Sequence, residues 1–494
     1  MRRLHPEALR TLPLDVAQPT YARGALRSGI VHLGIGAFAR AHLAVATEAA
    51  LHASGDLAWG ISGVSLRDTA TRDALGPQGA LYTVAERDAA RDGTARQSLS
   101  VIGALRELLV APQNPRAVLE RIADPDTRIV SLTVTEKGYL LNGAGGLMFE
   151  HADVRHDQSH PDAPRSAVGF IVHGLALRRA RALRGISLMS LDNLPNNGHL
   201  LRSLVLAFAA NVNTGLREWI ETRCSFPCSM VDRIVPRTTE LDRARVAAAL
   251  GADDAWPVVA EPYFEWALEN NFVAGRPDWG PAGVRLVSHA APWERLKLRM
   301  VNGAHSSIAY LGVMAGWQTV DAAIAQPALR QYALDLLCDE VEPTLPVLPG
   351  LNLAQYRSQL IARFTNPALA HRTQQIAMDG SQKLPQRLLG TVRDRLAVGA
   401  SIHHLALGIA AWLHYLRGYD EAGREYKIDD PLADALLALT REAHGLDDDE
   451  QRARFLIGFV PVFGDLAHNT RLAHELAGHL RSLRERGVRA TLGD

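Results

Sequence analysis

The stretch KLRMVNGAHSSIAYLG, residues 297–312, sets Lys297, Asn302 and His305 among residues that otherwise belong in a hydrophobic core. Read as one α-helix turning ~100° per residue, it places Lys297 and His305 about 80° apart, with Asn302 roughly 60° beyond His305. Glu294 then projects close to His305, so four polar groups share one broad face. The bland reading is a surface lysine, a capping asparagine and a buried, satisfied histidine. The chemical reading is a site that oxidises a secondary alcohol. A lysine takes a hydroxyl proton only if burial and neighbouring positive charge drop its pKa well below ~10.4. An asparagine amide is a fixed donor for an oxygen that is gaining negative charge, and a histidine can position and polarise the same oxygen. Gly303 costs ~1 kcal/mol against alanine inside a helix, so its presence predicts close packing by another element.

Oxidation of an alcohol also needs a hydride acceptor, and HLGIGAFARAH (32–42) offers a place for one. It lies where a strand hands over to a helix, and Gly34, Gly36 and Ala39 fit G-x-G-x-x-G/A. The first glycine allows the tight turn, the second lets a pyrophosphate reach the backbone, and the small third residue lets helix and strand pack closely. With Ala37 and Phe38 opening the helix, its free N–H groups would face the phosphates. The acidic partner of the adenosine ribose usually lies ~20 residues on. The residue available is Asp68, at the tip of the next strand-like run, which favours NAD. Its neighbour Arg67 would instead suit the 2′-phosphate of NADP, and a plain solvated loop pair is the alternative.

The elements that must hold these groups are legible in outline. GIVHLGIG (29–36), LAWGISGVSL (57–66), TRIVSLTVT (127–135) and GISLMSL (185–191) are short buried-strand runs separated by helical patterns. That alternation predicts an α/β Rossmann-type N-terminal domain with a mainly parallel sheet. From about residue 293 onward, alanine- and leucine-rich helical stretches dominate, so the second domain is expected to be mostly α-helical. The expected division is 1–285 and 286–494, within the Gly- and Pro-rich passage 275–294. Asn193, in SLDNLPNNG after a strand end, stands where open α/β sheets bind ligands. It could pair with Asn302 as an oxyanion clamp, although Asn, Pro and Gly also suit any turn.

Composition narrows the function. The 53 basic and 53 acidic residues of 494 cancel, which argues against a nucleic-acid-binding protein. No run approaches the ~18 apolar residues of a membrane span, and Pro6, Glu7 and Arg10 interrupt any leader peptide. A cytoplasmic protein, monomeric or weakly homo-oligomeric, is expected. Cys224, Cys228 and Cys338 suit neither a disulfide framework nor a four-ligand zinc site. HELAGH (474–479) separates its histidines by five residues rather than the four that share a helical face, so no metal site is expected. HDQSH (156–160) reads as loop.

GIGAFARAH, VTEKGY, DNLPNNG, FPCSMVDRIVP and the Lys-x4-Asn-x2-His arrangement, in this order, resemble the mannitol dehydrogenase family of long-chain, zinc-independent polyol and sugar-acid dehydrogenases. The resemblance runs from about residue 28 to VFGDLAHN near the C-terminus. It implies an active site in the cleft between a Rossmann-type and a helical domain, with Lys297 as general base. It further implies Asn193 and Asn302 as oxyanion donors and His305 as a substrate-positioning group. Asp232, Glu294 and Lys383 match positions that contact the substrate chain, and Glu136 matches a carboxylate that passes protons to solvent. Members specialised for mannitol tend to carry arginine where this chain has Gln375. The wording around it resembles the branch acting on D-mannonate and D-fructuronate, with Arg372 or Arg387 as a fork for the substrate carboxylate. Mannitol or D-arabinitol as substrate, and an NAD-binding sensor without catalysis, are the alternatives.

Overall fold

The computed structural model describes residues 2–89, 95–369 and 371–493. It divides into two compact units, Met1–Ala291 and Pro292–Asp494.

The first unit is built on a parallel sheet of β1 (Ile30–Leu33), β2 (Ile61–Ser65), β5 (Leu105–Val110), β6 (Ile129–Leu132) and β7 (Ser187–Ser190), in the order β5-β2-β1-β6-β7. Four of these are the strands expected from sequence. These four lie wholly buried and lack the in-and-out alternation of a half-exposed strand, because both faces of the sheet are covered. Ile30 and Ile129 feed a cluster with Leu43, Ala46 and Leu51 of the helix Leu43–Ser54, whereas Val31, Leu33 and Val130 feed one with Val118, Phe170 and Val205 from helices further along the chain.

Two smaller sheets add strands that the sequence pattern did not suggest. β3 (Tyr82–Ala89) and β4 (Ala95–Ile102) are antiparallel, and β9 (Val258–Ala260) joins β3 in parallel. β8 (Ser229–Asp232) and β11 (Arg285–Val287) flank β10 (Glu265–Glu269). HDQSH also departs from the loop expected of it. Residues Ala152–Ser159 form a helix, whose N-terminus His151 caps and whose Asp157 accepts from the N–H groups of Arg165 and Ser166.

The second unit is helical, as expected. The helices Ala304–Met314 and His403–Tyr415 are mostly buried, which explains why most of their residues are apolar. They pack closely at Gly408, where a Cβ would lie 2.5 Å from Ser307 Oγ. No helix among the described residues is long and apolar enough to cross a membrane.

Candidate active site

The first candidate residues lie at the C-terminal ends of β1 and β2. Gly34 has φ +90°, and a Cβ there would lie 2.1 Å from the Thr133 carbonyl oxygen, so the turn requires glycine on two counts. Gly36 differs: its φ is −84° and a Cβ would meet only the Gly34 oxygen at 3.9 Å. Nothing among the described residues demands a glycine at 36, which fits a position kept open for a bound group. Ala37, Phe38 and Ala39 open the short helix Ala37–Ala41, with Ala39 buried and Phe38 stacked on His42. Arg67 and Asp68 are exposed just beyond β2, where the Asp68 carboxylate accepts from the Ala70 N–H.

A buried polar chain sets this turn. The Thr133 hydroxyl donates to the Gly34 carbonyl at 2.8 Å and lies 2.9 Å from His32 Nε2. The hydroxyl hydrogen is thus committed, so Nε2 carries the ring proton and Nδ1 accepts from Ser131 Oγ at 2.8 Å. Burial pushes the His32 pKa down to about 3, which keeps the ring neutral.

A second group joins the tips of β6 and β7. Asp192 accepts from the N–H groups of Val134 and Thr135 at 3.0 and 2.9 Å and from the Tyr139 hydroxyl at 2.8 Å. Burial nevertheless raises its pKa. Thr135, at φ +61°, and Asn196, at φ +47°, adopt conformations rare for side-chain-bearing residues. The strained backbone lies in the TEKGY and DNLPNNG segments, beside exposed Glu136 and exposed Asn193. Asp232 is buried at the end of β8, opposite Glu265.

In the helical unit the opening segment is not one α-helix. After Ala291–Leu296, which contains half-buried Glu294, residues Lys297–Gly303 form a π-helical segment before the α-helix resumes at Ala304. In a π-helix, hydrogen bonds link residues five apart. Lys297 and Asn302 therefore stand one turn above the other instead of about 140° apart, as the α-helical reading required. This corrects the geometry read from sequence. Lys297 is 6 % exposed and Asn302 7 %. Gly303 ends the segment, and the expected close neighbour is a second π-helical segment, Pro385–Leu389. A Cβ on Gly303 would lie 2.9 Å from the Arg387 carbonyl.

Two buried nitrogens here, Asn302 Nδ2 and His305 Nε2, have no hydrogen-bond partner among the described residues, and nor does His371 Nδ1. The His305 ring stacks on Phe364 at 5.1 Å and meets His371 edge-on at 5.0 Å. Burial, and then the nearby His371, Arg387, Arg363 and Lys383, hold the His305 pKa well below 6.5, so the ring is neutral. Arg387 donates to Ser306 Oγ at 2.9 Å. Lys383 donates to the carbonyls of Met378 and Ile376 at 2.5 and 3.3 Å. The structure thus gathers Asn302, His305, Lys383 and Arg387. Arg372 and Gln375 are exposed at the helix Thr373–Ala377.

Sequence reasoning missed His32, Arg363 and His371. His32 carried a signal, a polar residue inside a fully buried strand. Arg363 and His371 approach His305 only through the fold.

A parallel sheet with a glycine turn at the end of its central strand, followed by a helical unit, defines a two-domain dehydrogenase architecture of the Rossmann type. Residues 28–281 match the mannitol dehydrogenase Rossmann domain, and residues 289–484 match the mannitol dehydrogenase C-terminal domain. The D-mannonate oxidoreductase of Escherichia coli (strain K12) is 42% identical over 96% of this chain and 97% of its own. A mannitol 2-dehydrogenase of Phaeosphaeria nodorum is 38% identical over 99% of this chain and 86% of its own. Among solved structures, the Pseudomonas fluorescens mannitol 2-dehydrogenase ternary complex with NAD and D-mannitol superposes with a TM-score of 0.87. It is 36% identical and covers 99% of this chain and 98% of that one. The chain belongs to the mannitol dehydrogenase family.

Proposed function

We propose that this protein is an NAD-dependent secondary-alcohol dehydrogenase that interconverts a sugar acid and its ketone, D-mannonate and D-fructuronate. The observation that carries the reading is the pair of buried, unpartnered nitrogens, Asn302 Nδ2 and His305 Nε2. They lie on the segment that begins with buried Lys297. Buried polar groups are almost always satisfied, and here a substrate oxygen supplies the partner. The positive groups Arg363, Lys383 and Arg387, which all act on His305, favour a substrate that bears a carboxylate.

The Gly34–Ala39 turn holds the dinucleotide, and Asp68 accepts from its adenosine ribose, which favours NAD over NADP. Bound NAD supplies the hydride acceptor. Lys297 takes the proton of the reacting hydroxyl, one carbon in from a chain end. Asn302 donates to the oxygen as charge develops on it, and Asn193 is a second donor, a role taken from the family motif. His305, neutral, holds the same oxygen in place. Glu136 passes the proton to solvent, while Asp232, Glu294 and Lys383 hold the rest of the substrate chain.

A second reading, a mannitol 2-dehydrogenase, is favoured by the exposure of Arg372 and Gln375, which leaves the carboxylate fork to Arg387. Turnover of NADH, and in parallel of NADPH, with D-fructuronate and with D-fructose separates the two. Strong turnover of fructuronate and feeble turnover of fructose is expected. The reverse order would establish the mannitol reading, and bound NADH without turnover of any polyol or sugar acid would indicate a sensor.

A further inference from the structure

The HELAGH segment holds a different arrangement from the one its two histidines suggest. His474 points away, its Nδ1 lying 3.7 Å from Glu450. Glu475 and His479, four residues apart in the helix Thr470–Leu492, share a face. His403, at the start of the helix His403–Tyr415, completes a group whose ligand atoms all lie within 4.8 Å of one another. His403 Nδ1 is 3.8 Å from Glu475 Oε2, and the two imidazole rings are centred 4.6 Å apart.

We propose that His403, Glu475 and His479 bind one divalent transition-metal ion of the zinc class, which staples the C-terminal helix to the helix His403–Tyr415.

Three features support it. Two imidazoles and one carboxylate are a donor set that suits zinc, with a fourth position left to water. His479 Nε2 lies 3.0 Å from the His403 carbonyl oxygen. A carbonyl only accepts, so Nε2 carries the proton and Nδ1 keeps its lone pair. This is the outer-sphere hydrogen bond that fixes the tautomer of metal-ligating histidines. Access is also provided for, since the His403 side chain is 58 % exposed and that of Glu475 30 %, while His479 anchors the site from within. The group shares no residue with the candidate active site, so the ion acts on stability through binding the folded chain alone.

The test is calorimetric titration of the untagged, EDTA-treated full chain with zinc sulfate, alongside His403→Ala and Glu475→Gln. Both changes fall on exposed or half-exposed side chains, and thermal melts of the metal-free proteins check that each variant folds. One equivalent of zinc per wild-type chain is expected, with a higher melting temperature and affinity at least about tenfold weaker in both variants. NADH-dependent turnover should be the same in all three proteins, with or without chelator. Substoichiometric binding, or binding unchanged in His403→Ala, would overturn the site. Loss of turnover on chelation would overturn the stapling role.

Discussion

The carbonyl oxygen of Arg387 stands 2.9 Å from the place a Cβ on Gly303 would occupy. This contact joins two π-helical segments, one carrying Lys297 and Asn302, the other carrying Arg387. A π-helical turn is costly and recurs at functional sites. Here it brings a base and an amide donor to one side of the helix, and the missing side chain at 303 lets the neighbouring backbone hold it there.

Gly303→Ala forces that backbone apart. The change should cost about 1–3 kcal/mol of stability, in the range of overpacked cores. It should also lower kcat more than it weakens NADH binding, because Lys297 and Asn302 lose their alignment. Denaturant melts and steady-state kinetics check this, and a variant with wild-type stability and kcat would show that the contact positions nothing.

Gly34→Ala meets two obstacles, the positive φ and the Thr133 carbonyl. A strained backbone of this kind costs on the order of 1–3 kcal/mol, so NADH affinity should fall by at least about tenfold, equivalent to ~1.4 kcal/mol. Fluorescence titration of NADH reads this directly. Unchanged affinity in a folded variant would remove the turn from the cofactor site.

The first unit should be sensitive to mild acid. Burial holds His32 and His42 at about 3, against 6.5 for the unfolded chain. Between these values the unfolded state binds more protons, so stability falls as pH falls from 6.5, by at most ~1.4 kcal/mol per pH unit for each histidine. Asp192 and Asp254, raised by burial, act in the opposite sense, their contribution being lost as pH rises above 3.8. Denaturant midpoints at pH 7.5, 6.0 and 5.0 should decline before ordinary carboxylates titrate. A flat profile down to pH 5 would contradict the buried neutral histidines.

Arg387→Met should separate the two substrate readings. Removing the guanidinium keeps an apolar stem and should raise the KM for D-fructuronate by at least about tenfold, the loss of ~1.4 kcal/mol, while the KM for D-fructose changes little. An equal rise for both would assign Arg387 to supporting Ser306 rather than to the substrate.

Much of this could be read from the chain before its structure. Four strands of the parallel sheet announced themselves as short, mainly apolar runs, and Gly34 fell where the sheet hands over to a helix. The parallel pairing of β3 with β9 did not, because Val84 and its partner Val258 lie far apart in sequence. The orientation of Lys297 and Asn302 was misread because a period of ~3.6 residues was assumed, and no local signal marks a π-helical turn. His371 and Arg363 lie far along the chain from His305, as His403 does from His479. Only the fold makes them neighbours.

The central claim is that Lys297 is the base. Turnover of Lys297→Ala, measured beside its NADH affinity, tests it most directly. The account predicts a loss of kcat on the order of 10²–10⁴ with NADH affinity within about twofold of wild type, since ~0.4 kcal/mol separates such values. Near-wild-type turnover, or a loss explained wholly by failure to bind NADH, would contradict it.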